Sequence, residues 1–108
     1  MTNEMPAPIA AYVAANTRLD ADGMQASFAQ NAVVRDDRGT HVGHDEIGAW
    51  IRSATIASRA VFTPEAWREQ DGSIVVDGQT TGDFPGSPIR FTFRFMLKGE
   101  AIAKLEIA

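Results

Sequence analysis

Two carboxylates, Asp36 and Asp37, close the run Ala32–Asp37, and two histidines, His41 and His44, follow within eight residues. A carboxylate turned into a partly dry site is a base able to take a proton from carbon next to a carbonyl. Such proton movement underlies isomerisation, aldol cyclisation and dehydration alike. Alternate residues of a strand face opposite sides. Ala32, Val34 and Asp36 therefore share one face, apolar until its last member. Val33, Arg35 and Asp37 share the other, where Arg35 and Asp37 read as a solvated pair. Asp36 is the candidate base at the rim of an internal site. The same carboxylate can instead cap the following turn by accepting backbone amides.

The histidines and tryptophans bear on the same site. His41 and His44 lie near Asp37 and Asp45, acceptable metal ligands in type. No third ligand has suitable spacing, so no metal is expected. His41 reads better as a pocket residue or proton shuttle. Trp50 and Trp67 read as core or pocket wall, aromatic lining being usual for apolar ligands. Asp83 precedes Phe84-Pro85-Gly86-Ser87-Pro88 and reads as a loop organiser. Ser87 lacks a nucleophile-elbow context, and no Gly-rich dinucleotide or phosphate loop is present, so no organic cofactor is expected.

These residues need elements to hold them. Ile9, Tyr12, Val13 and Asn16 recur at three- and four-residue spacing and predict a helix from Pro8 to about Leu19. Asp22 and Gln25 resemble a capping box for a short second helix, with Met24 and Phe28 on its inner face. Ala32–Asp37 reads as a strand. Arg38-Gly39 turns the chain, and Thr40–Val42 returns. A third helix follows Gly43-His44, with an apolar stripe of Ile47, Trp50, Ile51 and Ala54. Beyond Ala60 the pattern is of strands: Ala60–Gln70, its Pro64 marking an edge or bulge; the Asp71-Gly72 hairpin turn; Ser73–Gly82; Ile89–Lys98; and Ala101–Ile107. In Ile89–Lys98 the residues Ile89, Phe91, Phe93, Phe95 and Leu97 alternate with Arg90, Thr92, Arg94, Met96 and Lys98. Helices first and strands afterwards predict an α+β fold: a strongly curved antiparallel sheet wrapped by three N-terminal helices, shaped as a cone around a cavity.

Bulk properties agree with one domain spanning residues 1–108. The chain is 44% hydrophobic and 22% charged, with net charge −4 and no cysteine. Disulfides, thiolate chemistry and cysteine-based zinc sites are excluded, which suits a cytoplasmic location. The ten basic residues are scattered, so a nucleic-acid partner is disfavoured. No run approaches a membrane span, and MTNEMPAPIAAY lacks the basic start of a signal peptide, so neither is expected.

The order Tyr12, Asp20, Phe28-Ala29, Asn31-Ala32-Val33-Val34-Arg35-Asp36, Gly39, Gly43, Ile47, Trp50 resembles the nuclear transport factor 2-like superfamily, in its SnoaL-like branch. The stretch Gly82–Pro88, the alternating Phe91, Phe93 and Phe95, and Gly99, Ile102, Leu105 and Ile107 resemble small members of the same group. In ketosteroid isomerases of this superfamily a helix-1 tyrosine precedes, by a fixed interval, a catalytic aspartate ending the first strand. Tyr12 and Asp36 match that interval without a gap. The resemblance thus implies Asp36 as base and Tyr12 as hydrogen-bond donor to a substrate carbonyl or enolate. Tyr12 can equally be a core tyrosine. The isomerases' second acid has no counterpart, since the matching neighbourhood is Ile89-Arg90-Phe91, so steroid isomerisation through that oxyanion hole is not implied. Epoxide hydrolysis by an Asp-Arg-Asp site ranks last, because no late-strand acids accompany Arg90 or Arg94.

The expected function is binding of a small, largely apolar molecule, with Trp50, Trp67, His41 and Phe28 lining the site and proton-transfer chemistry carried by Asp36 and Tyr12. The alternative is a non-catalytic binding or dimerisation module. The polar side of Ile89–Lys98 is too extensive to leave unpartnered. With the dimers the resemblance implies, it predicts a homodimer joined through the outer sheet face and including Arg94 or Met96.

Overall fold

The computed structural model describes residues 5–37 and 39–108; Arg38, expected in the first turn, and residues 1–4, expected as a loose lead-in, lie outside them. The first helix, α1 (Ala7–Thr17), begins behind Pro6, whose carbonyl accepts from the Ile9 and Ala10 amides. It ends two residues earlier than its periodicity suggests, and Leu19 beyond it takes φ +54°, which no continuing helix allows. Ile9, Tyr12, Ala15 and Asn16 form its buried face.

The second helix, α2 (Ala21–Ala26), is capped by Asp20, not Asp22. Asp20 is extended, and its carboxylate accepts from the Gly23 amide at 3.1 Å. Asp22 sits inside the first turn and pairs with Arg52 at 2.6 Å, while Gln25 donates to the His44 carbonyl. Phe28 does not belong to this helix: it opens strand β1 (Phe28–Asp36), which starts earlier than expected. Strand β2 (Gly39–Val42) returns beside it, and α3 (His44–Trp50) runs on into a π-helical turn, Ile51–Ile56. The Val42 amide donates to Glu46 at 2.8 Å, tying β2 to α3.

Strands β3 (Val61–Gln70), β4 (Ser73–Thr81), β5 (Ile89–Lys98) and β6 (Ala101–Ile107) follow as an antiparallel meander. Asp71 and Gly72 join β3 to β4 with φ of +53° and +80°, both left-handed as a tight hairpin requires. Pro64 lies on the edge strand β3, beside a register shift. Opposite it, a Cβ on Gly78 would collide with the Thr63 carbonyl oxygen, so only glycine fits that crossing.

The six strands run in the order β2-β1-β6-β5-β4-β3. The result is a curved, unclosed sheet with three helices, α+β as expected. The sheet is mixed, however, and not antiparallel throughout: β1 pairs with β6 in parallel. Parallel neighbours need a long crossover, and here the helices and the remaining strands supply it.

One face carries the core. Ile9, Met24, Val34, Ile47, Ile51, Phe95, Ile102 and Leu105 are fully buried. Phe62 stacks on Phe93 with centroids 4.0 Å apart, joining the edge strand to the middle of the sheet. Asn16 fastens α1 to the start of β3: its amide donates to the Ala60 carbonyl at 2.9 Å, and its oxygen accepts from the Phe62 amide at 2.7 Å.

Candidate functional site

Strand parity sends Ala32 and Val34 into the core and leaves Arg35 and Asp37 exposed. Asp36, the last residue of β1, turns inward with its side chain 12% exposed. Its Oδ1 accepts from the Gly39 amide at 3.1 Å, the turn cap weighed from the sequence. Its Oδ2 accepts from Trp50 Nε1 at 2.9 Å. The carboxylate is thus held from two sides, by the hairpin and by the end of α3. His41, opposite Val34 on β2, completes the group. Its Nε2 lies 3.9 Å from Asp36 Oδ1, and its ring lies 5.7 Å from that of Trp50 at 30°.

Three of the residues singled out from sequence, Asp36, His41 and Trp50, therefore meet. The indole–carboxylate bond was not foreseen, although the apolar stripe of α3 already placed Trp50 on the inward face. Tyr12 and Phe28 form a second group with Phe95. Tyr12 sits edge-on to both rings, at 5.6 and 5.9 Å, and is 3% exposed. Burial pushes its phenol well above the ordinary range, because the phenolate would be stranded without water. Trp67 stands apart: half-buried opposite Val76 on β3, it packs against the core from the sheet edge opposite to β2.

The outer face differs from expectation in its pairing. Arg35 pairs with Glu106 on β6 at 3.7 Å, not with Asp37, because the parallel register sets Arg35 directly beside Glu106. Lys104 reaches the same Glu106 at 3.5 Å. Asp77 accepts from the Thr92 hydroxyl at 2.7 Å and pairs with Arg68 at 3.0 Å; the Thr92 bond first, then Arg68, holds its carboxyl below the usual range. A groove of about 430 Å³ lies among Arg35, Asp37, Thr92, Arg94 and Glu106. Among the described residues no three of His, Asp and Glu gather as a metal site would need, and no helix is long and apolar enough to cross a membrane.

Comparison with known proteins places this geometry among relatives. The SnoaL-like domain family matches residues 9–105. A candidate polyketide cyclase from Sinorhizobium meliloti shares 33% identity over 96% of this chain and 95% of its own, with a TM-score of 0.89. A Catenulispora acidiphila protein with a ketosteroid isomerase-like fold, solved with trimethylamine, superposes at a TM-score of 0.82 with 19% identity, covering 97% of this chain and 86% of its own. A nuclear transport factor 2-like protein from Cytophaga hutchinsonii superposes at 0.80 with 10% identity, over all of this chain and 93% of its own. Comparison with curated proteins gives no match.

Proposed function

The chain belongs to the family of SnoaL-like domains, and we propose that it binds a small, largely apolar carbonyl compound on the inner side of its sheet, with Asp36 as base and Tyr12 as hydrogen-bond donor. The step would be removal of a proton next to the carbonyl, as an isomerase, cyclase or dehydratase performs it without a cofactor. One observation carries this reading. Asp36 is an inward, mostly buried carboxylate, oriented by Trp50 Nε1 and the Gly39 amide. A base fixed before substrate arrives has no reorganisation left to do. Tyr12 suits the donor role because burial keeps its phenol protonated. Phe28, Trp50 and His41 supply the aromatic lining, and Trp67 a more distant wall. The naming of the Sinorhizobium relative as a candidate polyketide cyclase agrees with carbon-acid chemistry.

The rival reading is a non-catalytic module. It draws on the same contacts, since a carboxylate bonded to a turn and a helix end is also a structural tie. α-Tetralone in deuterated buffer separates the two. Exchange of its α-hydrogens above the buffer rate supports the base. Binding without exchange supports the module, and neither would sink both.

Tyr12→Phe should keep the fold and slow that exchange by about three- to tenfold. A protein that fails to fold would show Tyr12 to be a packing residue. The same variant has a signature in alkali. An unfolded tyrosine titrates near ~10, while the buried phenol titrates higher. Below that range both states keep the proton; above it the unfolded state loses it first, so the fold weakens as pH rises. Melting curves on either side of pH ~10 should show a smaller alkaline loss for Tyr12→Phe than for the wild type.

Assembly belongs to the same proposal. The outer face carries cations and carboxylates side by side, Arg35, Arg94 and Lys104 against Asp77 and Glu106, with Met96 42% exposed among them. A twofold copy of such a face meets charges of opposite sign. Light scattering across a concentration series should give about twice the chain mass, and Met96→Glu should shift it toward the monomer. A monomer at micromolar concentration would overturn the dimer.

A further inference from the structure

The outer face of the sheet holds a cation that the rest of the chain does not answer. Register sets Arg35 on β1, Glu106 on β6 and Arg94 on β5 in one row across three neighbouring strands. Glu106 stands between the two arginines and is taken from two sides, by Arg35 at 3.7 Å and by Lys104 at 3.5 Å. Arg94 is half-buried, and no carboxylate among the described residues pairs with it. Arg18, Arg35, Arg52, Arg68 and Arg90 each have such a partner. Arg59 has none among the described residues either, but it is exposed, where water serves it. A cation partly withdrawn from water favours an anion beside it.

Arg94 borders the groove of about 430 Å³, and Arg35 borders it from across β6. The next row leaves it open, because Thr92 and Ala108 meet there with small side chains, joined by backbone hydrogen bonds of 2.8 and 3.0 Å. The acids nearby are mostly engaged. Asp36 turns its carboxylate to the inner face, toward Trp50 and Gly39, and Asp77 is answered by Arg68 and the Thr92 hydroxyl. Glu106 and exposed Asp37 remain against Arg35, Arg94 and Lys104, a local excess of cations on a chain of net charge −4.

We propose that this groove binds a small dianion, a dicarboxylate or a phosphomonoester, between Arg94 and Arg35. Either oxyanion accepts two parallel N–H bonds from the planar guanidinium fork. The two arginine backbones stand two strand spacings apart, about 10 Å, a span that two long side chains close around a ligand anionic at both ends. A groove of this size takes a small metabolite. The site lies on the opposite face from the Asp36 carboxylate, does not rest on that residue acting as base, and holds a second ligand distinct from the carbonyl compound.

Proton–nitrogen NMR spectra test it, with the wild-type protein titrated by succinate and, separately, by inorganic phosphate, at an ionic strength held constant with chloride. The Arg94 Nε–H signal and the Thr92 and Ala108 amides should move and saturate, with a Kd of about 1 mM or tighter. The anion that saturates them at the lower concentration tells dicarboxylate from phosphate. Arg94→Gln should weaken binding at least tenfold and Arg35→Gln about three- to tenfold, while Arg59→Gln leaves it within about twofold. Arg94→Lys keeps the charge and loses the fork, and should weaken it severalfold. Shifts that never saturate, or that chloride reproduces, would overturn the site as mere counter-ion atmosphere. Equal losses from Arg94→Gln and Arg59→Gln, or none from either Arg94 variant, would overturn it as well. An affinity that falls as the protein is concentrated would give the groove to a second copy of the chain instead.

Discussion

Asp36→Asn is expected to lower turnover by at least tenfold, about 1.4 kcal/mol of barrier or more, while Asp37→Asn leaves it within about twofold. The two residues are neighbours in sequence and opposites in environment. Asp36 is inward, bonded to Trp50 and Gly39, and close to His41; Asp37 is exposed at the end of the strand. Asparagine keeps the shape and one accepting oxygen but removes the base. It can satisfy only one of the Gly39 and Trp50 donors, so a stability loss of about 1 kcal/mol should accompany the kinetic effect. Rates compared well below the melting temperature of each variant separate the two consequences. Exchange into α-tetralone is the readout, and equal losses from Asp36→Asn and Asp37→Asn would sink the assignment.

Asn16→Ala should damage the fold severely. Asn16 is 3% exposed and bonds the backbone at both ends of its amide, accepting from Phe62 and donating to the Ala60 carbonyl. Removing it leaves a buried N–H and a part-buried carbonyl at the seam between α1 and β3. Each unsatisfied group costs about 1–3 kcal/mol. The expected loss is about 2–4 kcal/mol, a fall in melting temperature on the order of 10–20 °C for a domain of this size. Thermal and urea unfolding measure it directly. A loss under about 1 kcal/mol would mean that water replaces the side chain and that the clamp is not a fastening.

The local half of this protein is legible in its amino-acid order. Pro64 marked an edge strand because a proline has no N–H for a second neighbour, and the sheet order places β3 at an edge. Asp71-Gly72 marked a hairpin because only such residues take left-handed φ cheaply. Parity separated Asp36 from Asp37, since side chains alternate along any strand. Errors gathered where two local signals competed. Asp20 and Asp22 both offer a carboxylate to a helix start, and the backbone chose Asp20. Phe28, four residues from Met24, fitted the stripe of a short helix, and its pairing opposite Ile102 decided for the strand.

By itself, then, the sequence determined the element types, the α+β class, the inward aspartate and the resemblance to SnoaL-like domains. These depend on periodicities and turn chemistry that each segment carries alone. Only the tertiary structure decided that β1 runs parallel to β6, that Arg35 answers Glu106, that Trp50 grips Asp36, and that Asn16 bridges to residues more than forty positions away. It also decided that His41 Nε2 is left facing Asp36 without a bond. Such contacts join segments that no local rule relates. They arise when burying the apolar faces of distant elements against one another fixes which polar atoms meet and which are left over.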